Sequence, residues 1–359
     1  MILHERGKEK MLIDPKMRTL LERKYSEELI EEVDIKVFTR EIIISGEDPE
    51  YVRFSKELVR ELSQINQKIK PEFLSLGDEL AKELGLSFSP TLVIGKNNGY
   101  SIQYWGVPAG QIASTLVETI SLVSQKKSGL DHSVREKVKH IDKNILIETY
   151  FALDSPASSQ AVLLSNRIAI ERPGRIVSRA LEVEEAIKTA KISEISGLPF
   201  VLINDIQDSL ISGMISEEKL IYQLILHGSS NKEPILAQME EEEKRKKMLL
   251  DSPDYPVVLT TSNFDEAVKK YPVLIIDCWA EWCAPCLMVH PIIESLAKKY
   301  KGKIAFGKLD IDQNREIAER FSIMSIPTLL VFKNGQNVDS IIGAMPENAL
   351  EEKIKVYLG

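Results

Sequence analysis

Two cysteines three positions apart, Cys283 and Cys286, carry the clearest chemical signal in this chain. They follow an apolar run, Val273-Leu274-Ile275-Ile276, that reads as a buried strand. They lead into Cys286-Leu287-Met288-Val289, which reads as helix. A cysteine at a helix N-terminus meets unpaired backbone N–H groups and the positive end of the helix dipole. Both lower its pKa and populate the thiolate, the nucleophilic form. The second sulfur, one turn on, is close enough to close a disulfide, and such a pair can pass two electrons to or from another disulfide. Two other readings use the same atoms. Cys283, Cys286 and His290, with Cys278 as fourth ligand, make up a zinc set, since 286 and 290 share a helix face. A disulfide that never exchanges is the other. Cys278 by itself reads as a small buried core residue.

The elements that must hold these sulfurs recur along the chain. Asp14-Pro15 marks a helix start, with Asp as N-cap and Pro at the first helical position. Val33 to Phe38 alternates as a strand, Ile42 to Gly46 is irregular, and Asp48-Pro49 opens a second helix. Pro71 to Leu74 enters a strand and Asp78 to Leu84 a short helix. Thr91 to Ile94, the turn Asn97-Asn98-Gly99 and Tyr100 to Tyr104 form a hairpin, and Gln111 to Ser124 a helix. The order then repeats: helix Ser133 to Ile141, strand Ile145 to Phe151, a helix from Ser155-Pro156, strand Arg175 to Ala180, helix Glu184 to Ile192, a hairpin from Pro199, and helix Glu217 to Leu226. A third copy runs from Asn263, with helix Asn263 to Lys270, strand Val273 to Cys278, the two-cysteine helix, strand Ile304 to Leu309, helix Arg315 to Phe321, a hairpin turning at Asn334-Gly335, and helix Glu347 to Tyr357. Pro90, Pro199 and Pro327 each stand just before a hairpin, and Gly106, Gly213 and Gly343 follow 16, 14 and 16 residues later. Repeats of this length are tandem domains. Between the second and third copies, Glu240 to Glu243 precede Lys244-Arg245-Lys246-Lys247, each Glu with a cation at i+4. A solvated helical spacer over Pro234 to Leu250 is expected there.

Composition narrows the function. The chain has 359 residues, enough for two or three domains. A net charge of -8 without a concentrated basic patch argues against nucleic acid as a partner. No apolar stretch approaches the roughly 20 residues of a membrane span, and Met1 to Lys10 lacks the apolar core of a signal peptide. Three cysteines, all between 278 and 286, do not make an extracellular disulfide framework, so a cytoplasmic protein is expected. Without a Gly-x-Gly-x-x-Gly or phosphate loop, no cofactor is expected, and reducing power must arrive from another protein.

From Val257 to Leu358 the chain resembles a complete thioredoxin. The residues that carry the likeness are Asp277, Trp279-Ala280-Glu281-Trp282-Cys283-Ala284-Pro285-Cys286, Pro291, Lys308 to Asp312, Ile326-Pro327-Thr328, Lys333-Asn334-Gly335 and Gly343-Ala344. Ala284 departs from the usual glycine, which implies a changed redox poise rather than lost activity. The resemblance implies that Cys283 is an exposed nucleophile and that Cys286 resolves the mixed disulfide. It implies that buried Asp277 takes the Cys286 proton, with Lys308 on the neighbouring strand paired to it; a purely structural carboxylate is the alternative. It makes Pro327 a cis-proline facing the disulfide, Ile326 a backbone partner for an extended client, and Trp282, Gly343 and Ala344 an apolar contact rim.

Residues from about 14 to 228 resemble the two-unit protein disulfide oxidoreductase of thermophiles, a tandem of thioredoxin folds. Tyr104 to Gly110 and Leu130 to Asp142 carry that likeness. The cysteines are missing: Asp48-Pro49-Glu50-Tyr51 and Ser155-Pro156-Ala157-Ser158 stand where sulfur is usual. A serine hydroxyl has nearly the shape of a thiol but neither ionises near neutral pH nor forms a disulfide. The expected architecture is α/β, three tandem thioredoxin-fold domains, each a central mixed sheet flanked by helices. Units without the two-cysteine motif span 1–127 and 128–230, a charged helical linker 231–253, and the active domain 254–359. The expected function is a thiol–disulfide oxidoreductase acting on client proteins with disulfides and recharged by a reductase of the thioredoxin reductase type, with the front units holding clients or serving as scaffold. No metal is expected. A non-catalytic holdase or assembly scaffold is the alternative.

Overall fold

The computed structural model describes residues 12–40, 49–183, 198–213, 215–280 and 283–358. Ile42 to Gly46, Asp48, the helix expected over Glu184 to Ile192, and Trp282 lie outside the described residues. The chain divides into two compact units, Met1–Ile235 and Leu236–Gly359.

In the first unit the elements run α1 (Pro15–Glu28), β1 (Val33–Thr39), α2 (Glu50–Ile65), β2 (Ile69–Ser75), α3 (Glu79–Glu83), β3 (Thr91–Ile94), β4 (Ile102–Trp105) and α4 (Ile112–Gln125). They continue α5 (His132–Lys139), β5 (Ile145–Phe151), α6 (Pro156–Glu171), β6 (Ile176–Glu182), β7 (Phe200–Ile203), β8 (Ile206–Ser212) and α7 (Glu217–Gly228). Local chemistry starts the helices. The Asp14 carboxylate accepts the N–H groups of Lys16 at 2.9 Å and Met17 at 3.0 Å, with Pro15 at the first position. Ser155 caps α6 in the same way, ahead of Pro156.

All eight strands form one sheet in the order β2-β1-β3-β4-β6-β5-β7-β8. Each half has a central strand, β1 or β5, flanked by a parallel and an antiparallel neighbour. The halves join where β4 pairs parallel with β6, Ile102 opposite Ser178 through Trp105 opposite Leu181. Buried polar side chains bridge this seam. The Tyr104 hydroxyl bonds Thr115 of α4 at 3.0 Å, the Asn166 amide of α6 donates to Tyr104 at 2.8 Å, and Ser178 of β6 donates to Asn166 at 2.7 Å. Each partner satisfies the next, as a polar group inside a core must be.

A charged helix, α8 (Glu233–Lys247), precedes the second sheet. It starts one residue before the expected Pro234 and stops three before Leu250. The second unit then runs β9 (Val257–Leu259), α9 (Phe264–Lys270), β10 (Val273–Trp279), α10 (Ala284–Lys299), β11 (Ala305–Asp310), α11 (Arg315–Arg320), β12 (Thr328–Lys333), β13 (Gln336–Ile342) and α12 (Glu347–Lys355). Its sheet order is β13-β12-β10-β11-β9. Both faces of β10 are covered, which is why it reads as an unbroken apolar run. Alternation sends Leu274, Ile276 and Cys278 to one core with Phe264 and Val268 of α9. It sends Val273 and Ile275 to the other, with Val289, Ile293 and Leu296 of α10. Asp277 shares their parity and therefore lies on the α10 face.

One device recurs in all three folds. The Ser89–Pro90, Leu198–Pro199 and Ile326–Pro327 peptide bonds are cis. Each proline carbonyl accepts the N–H of the glycine that ends the following hairpin: Gly106 at 3.0 Å, Gly213 at 2.9 Å and Gly343 at 2.8 Å. Those glycines have φ of 110°, 80° and 91°, a backbone region that side chains with a Cβ rarely enter.

Candidate active site

The site is assembled at the carboxyl end of β10. The chain leaves the strand at Trp279, and Cys283 becomes the N-cap of α10 with extended backbone, φ −89° and ψ 92°. Pro285 inside the first turn pre-sets the helical φ. The Cys283 sulfur accepts the Cys286 N–H at 3.2 Å, a helix-end donor that it shares with the Cys283 carbonyl at 3.0 Å. Cys283 and Cys286 are joined by a disulfide, with their Cα atoms 5.3 Å apart.

Cys283 keeps 3% of its surface and Cys286 none. The expectation of an exposed nucleophile is thus corrected: in the disulfide state the Cys283 sulfur is drawn back onto the first turn of α10, where it caps the Cys286 N–H. The zinc set is corrected as well. Cys278 points to the α9 side of the sheet, opposite the face that α10 covers, and burial pushes its thiol pKa up. The other two sulfurs are bonded to each other.

The Asp277 carboxylate is fully buried, and neither of its oxygens has a hydrogen-bond partner among the described residues. Burial raises it to about 7, with the Lys308 ammonium pulling the other way. Lys308 stands beside it across the β10–β11 ladder. The expected Asp277–Lys308 pairing takes a different form, because the ammonium reaches out to Glu294 of α10 at 3.0 Å. Lys308 acts on Asp277 only through its field. The side chain that does approach the carboxylate is His290, whose Nε2 lies 3.5 Å from Asp277 Oδ2. Sequence reasoning considered His290 only as a zinc ligand. The signal available was its spacing, one helical turn after Cys286 on the same face.

Pro327 precedes β12, and Thr328 pairs with Cys278 at the end of β10. Pro327 and the start of α10 therefore lie at the same end of the sheet. Ile326 is half-buried, Gly343 half-buried and Ala344 exposed. Three exposed apolar side chains that sequence reasoning left out belong to these same segments: Met288 on α10, and Met324 and Ile342 on either side of β12, Met324 being 93% exposed. Ile342 is opposite Thr328 in the β12–β13 hairpin, and Met324 lies three residues before Pro327.

The second fold of the first unit has the same local frame without sulfur. Ser155 caps α6 and its Oγ accepts the Ser158 N–H at 3.2 Å, as the Cys283 sulfur does for Cys286. Ser158 is buried and its Oγ accepts the Ala152 N–H at 3.2 Å. A pair of hydroxyls in this frame has a capping role and no electron to pass.

The thioredoxin family model matches residues 255–356. The thioredoxin of Staphylococcus saprophyticus is 46% identical over 102 residues, which cover 28% of this chain and 97% of that protein. Among solved structures, the NTD_N/C domain of alkylhydroperoxide reductase AhpF from Enterococcus faecalis is similar with a TM-score of 0.51 and 22% identity, over 59% of this chain and 99% of that one. A protein disulfide oxidoreductase from Aeropyrum pernix is similar with a TM-score of 0.51 and 22% identity, over 61% of this chain and 97% of that one. At that identity the likeness is one of fold. No described helix is long and apolar enough to cross a membrane. The chain is a disulfide oxidoreductase that belongs, through residues 255–356, to the thioredoxin family, with two further thioredoxin-like folds ahead of them.

Proposed function

We propose that the chain reduces or exchanges disulfides of client proteins through Cys283 and Cys286, and that the two sulfur-free folds orient or select those clients. The observation that carries this reading is the Cys283–Cys286 disulfide capping α10 on the sheet face that also holds the unpartnered Asp277 carboxylate. Once the bond is reduced, the helix end stabilises a Cys283 thiolate. That thiolate attacks a client disulfide and releases one client sulfur. Cys286 gives its proton to Asp277, attacks Cys283 and releases the second. Lys308 tunes Asp277 by its charge. Ile326 pairs with an extended client segment beside Pro327, and Gly343, Ala344, Trp282 and the exposed methionines supply apolar contact. A protein donor of the thioredoxin reductase type returns the electrons, in a cytoplasm that keeps thiols reduced.

Insulin reduction tests the central step. Wild type is expected to reduce it, Cys283→Ser to be inert, and Cys286→Ser to accumulate as a mixed disulfide with the insulin chain. Equal behaviour of wild type and Cys283→Ser would leave only a binding role.

A further inference from the structure

Asp277 is sealed from solvent. A proton that reaches its carboxylate from Cys286 must leave again as the enzyme cycles, and a base that cannot exchange protons serves once. Among the described residues, the groups around it are few. The Lys308 ammonium faces it from β11 but is held by Glu294. The Cys278 thiol adjoins it on β10, directed to the opposite face. From α10, Cys286, His290 and Glu294 lie one turn apart from each other on one helix face.

His290 is placed between the carboxyl and the outside. Its Nε2 is 3.5 Å from Asp277 Oδ2 and has no hydrogen-bond partner among the described residues. That is longer than the roughly 2.7–3.2 Å of a well-made bond. The ring is held edge-on against Trp279, with centroids 4.7 Å apart and planes at 83°. Its side chain still keeps 16% of its surface in solvent. One ring nitrogen therefore addresses the buried carboxyl while the side chain as a whole keeps some exposure to water.

We propose that His290 is a positioning residue of the thiol–disulfide reaction, carrying protons between the Asp277 carboxyl and solvent. The inference rests on the reading of Asp277 as the base for Cys286. The balance is as follows in the client-reducing direction. The Cys283 thiolate bonds to one client sulfur, and the other leaves as a thiolate that takes a proton from water. The Cys286 S–H bond breaks, its proton goes to Asp277, and its sulfur bonds to Cys283 while the second client thiolate departs. The client has gained two electrons and the enzyme has lost two. Asp277 then passes its proton to Nε2 of His290, and Nδ1 releases its own to water.

Electrostatics support the arrangement. Burial drives the imidazole down to about 3, with Lys308 adding to the effect, and the carboxyl up to about 7. Near neutrality the pair thus holds at most one proton, resting on the carboxyl. Moving it to the ring creates a carboxylate and an imidazolium side by side, each offsetting the other's desolvation. The ring is a brief carrier and not a store.

The test separates the two cysteine steps in the full chain. Reduced protein is mixed with oxidised glutathione, quenched with acid at intervals, and weighed for the glutathione adduct at pH values on both sides of neutrality. His290→Ala and His290→Gln are expected to form the adduct at the wild-type rate and to resolve it about tenfold more slowly. Their resolution rate should also lose its dependence on pH near neutrality. Added imidazole, entering the space left in His290→Ala, should restore the rate, which no packing role would allow. Adduct resolution at the wild-type rate in His290→Ala, with Asp277→Asn slow, would overturn the His290 inference and leave Asp277 as the base. Wild-type resolution in Asp277→Asn would remove the base assignment and His290 with it. Equal slowing of both steps without imidazole rescue would reduce His290 to packing.

Discussion

Asp277 sets the protein's stability against pH as well as its chemistry. An unfolded aspartate ionises near 3.8, whereas in the fold it does so at about 7. Below 3.8 both states hold the proton and the residue is neutral in its effect. As pH rises towards 7 the unfolded chain ionises and the fold does not, so stability falls. Above about 7 the loss is complete, about 4 kcal/mol for a carboxyl held at about 7 instead of 3.8. Asp277→Asn should therefore raise the denaturation midpoint of the second unit above pH 7 and leave it unchanged near pH 3.5, as read by chemical unfolding at each pH. His290 acts in the other direction. Its imidazole is held at about 3, so the fold loses stability as pH falls below about 6.5. Asp277 was legible through the resemblance to thioredoxin, which places a buried carboxylate on the strand before the two-cysteine turn. Its contact with His290 was not, because only the combination of strand parity and helix phase brings residues 277 and 290 together.

At the scale of elements, capping ties sequence to structure most directly. Asp14-Pro15, Ser155-Pro156 and the turn at Asn334-Gly335 could be read locally, since each satisfies its backbone within a few residues. Ser155→Ala should cost the first unit about 1 kcal/mol, the usual cost of a lost N-cap, and shift its denaturant midpoint with no effect on disulfide exchange. What escaped sequence reasoning depends on distant partners. Strand β9 has three residues, too few for alternation to show, and it exists by pairing with β11. Gly307 makes that approach possible: a Cβ there would come within 2.6 Å of Leu259 Cδ1. The Asp277–Lys308 register was anticipated, but the rotamer that sends the ammonium to Glu294 depends on α10, an element the strands do not specify.

The whole molecule separates redox chemistry from the larger sheet. Residues 236–359 form a compact unit by themselves and contain both sulfurs, Asp277 and His290. This part alone is expected to reduce oxidised glutathione at the rate of the full chain, while its preference among protein disulfides changes. Competition between a small disulfide and a set of folded clients measures this, and an unchanged preference would make the front folds bystanders. The number of folds was legible from the three proline-to-glycine intervals. The merging of the first two into one sheet was not, since no pattern within β4 or β6 announces that they pair. That join has a further meaning. β4 and β6 spend their outer amides and carbonyls on each other, so a nick between residues 126 and 131 would not liberate two smaller proteins. Each fragment would carry a raw sheet margin, and the nearest remedy would be the margin of another molecule. The seam covers one margin of each sulfur-free fold and leaves β2 and β8 at the ends of the sheet.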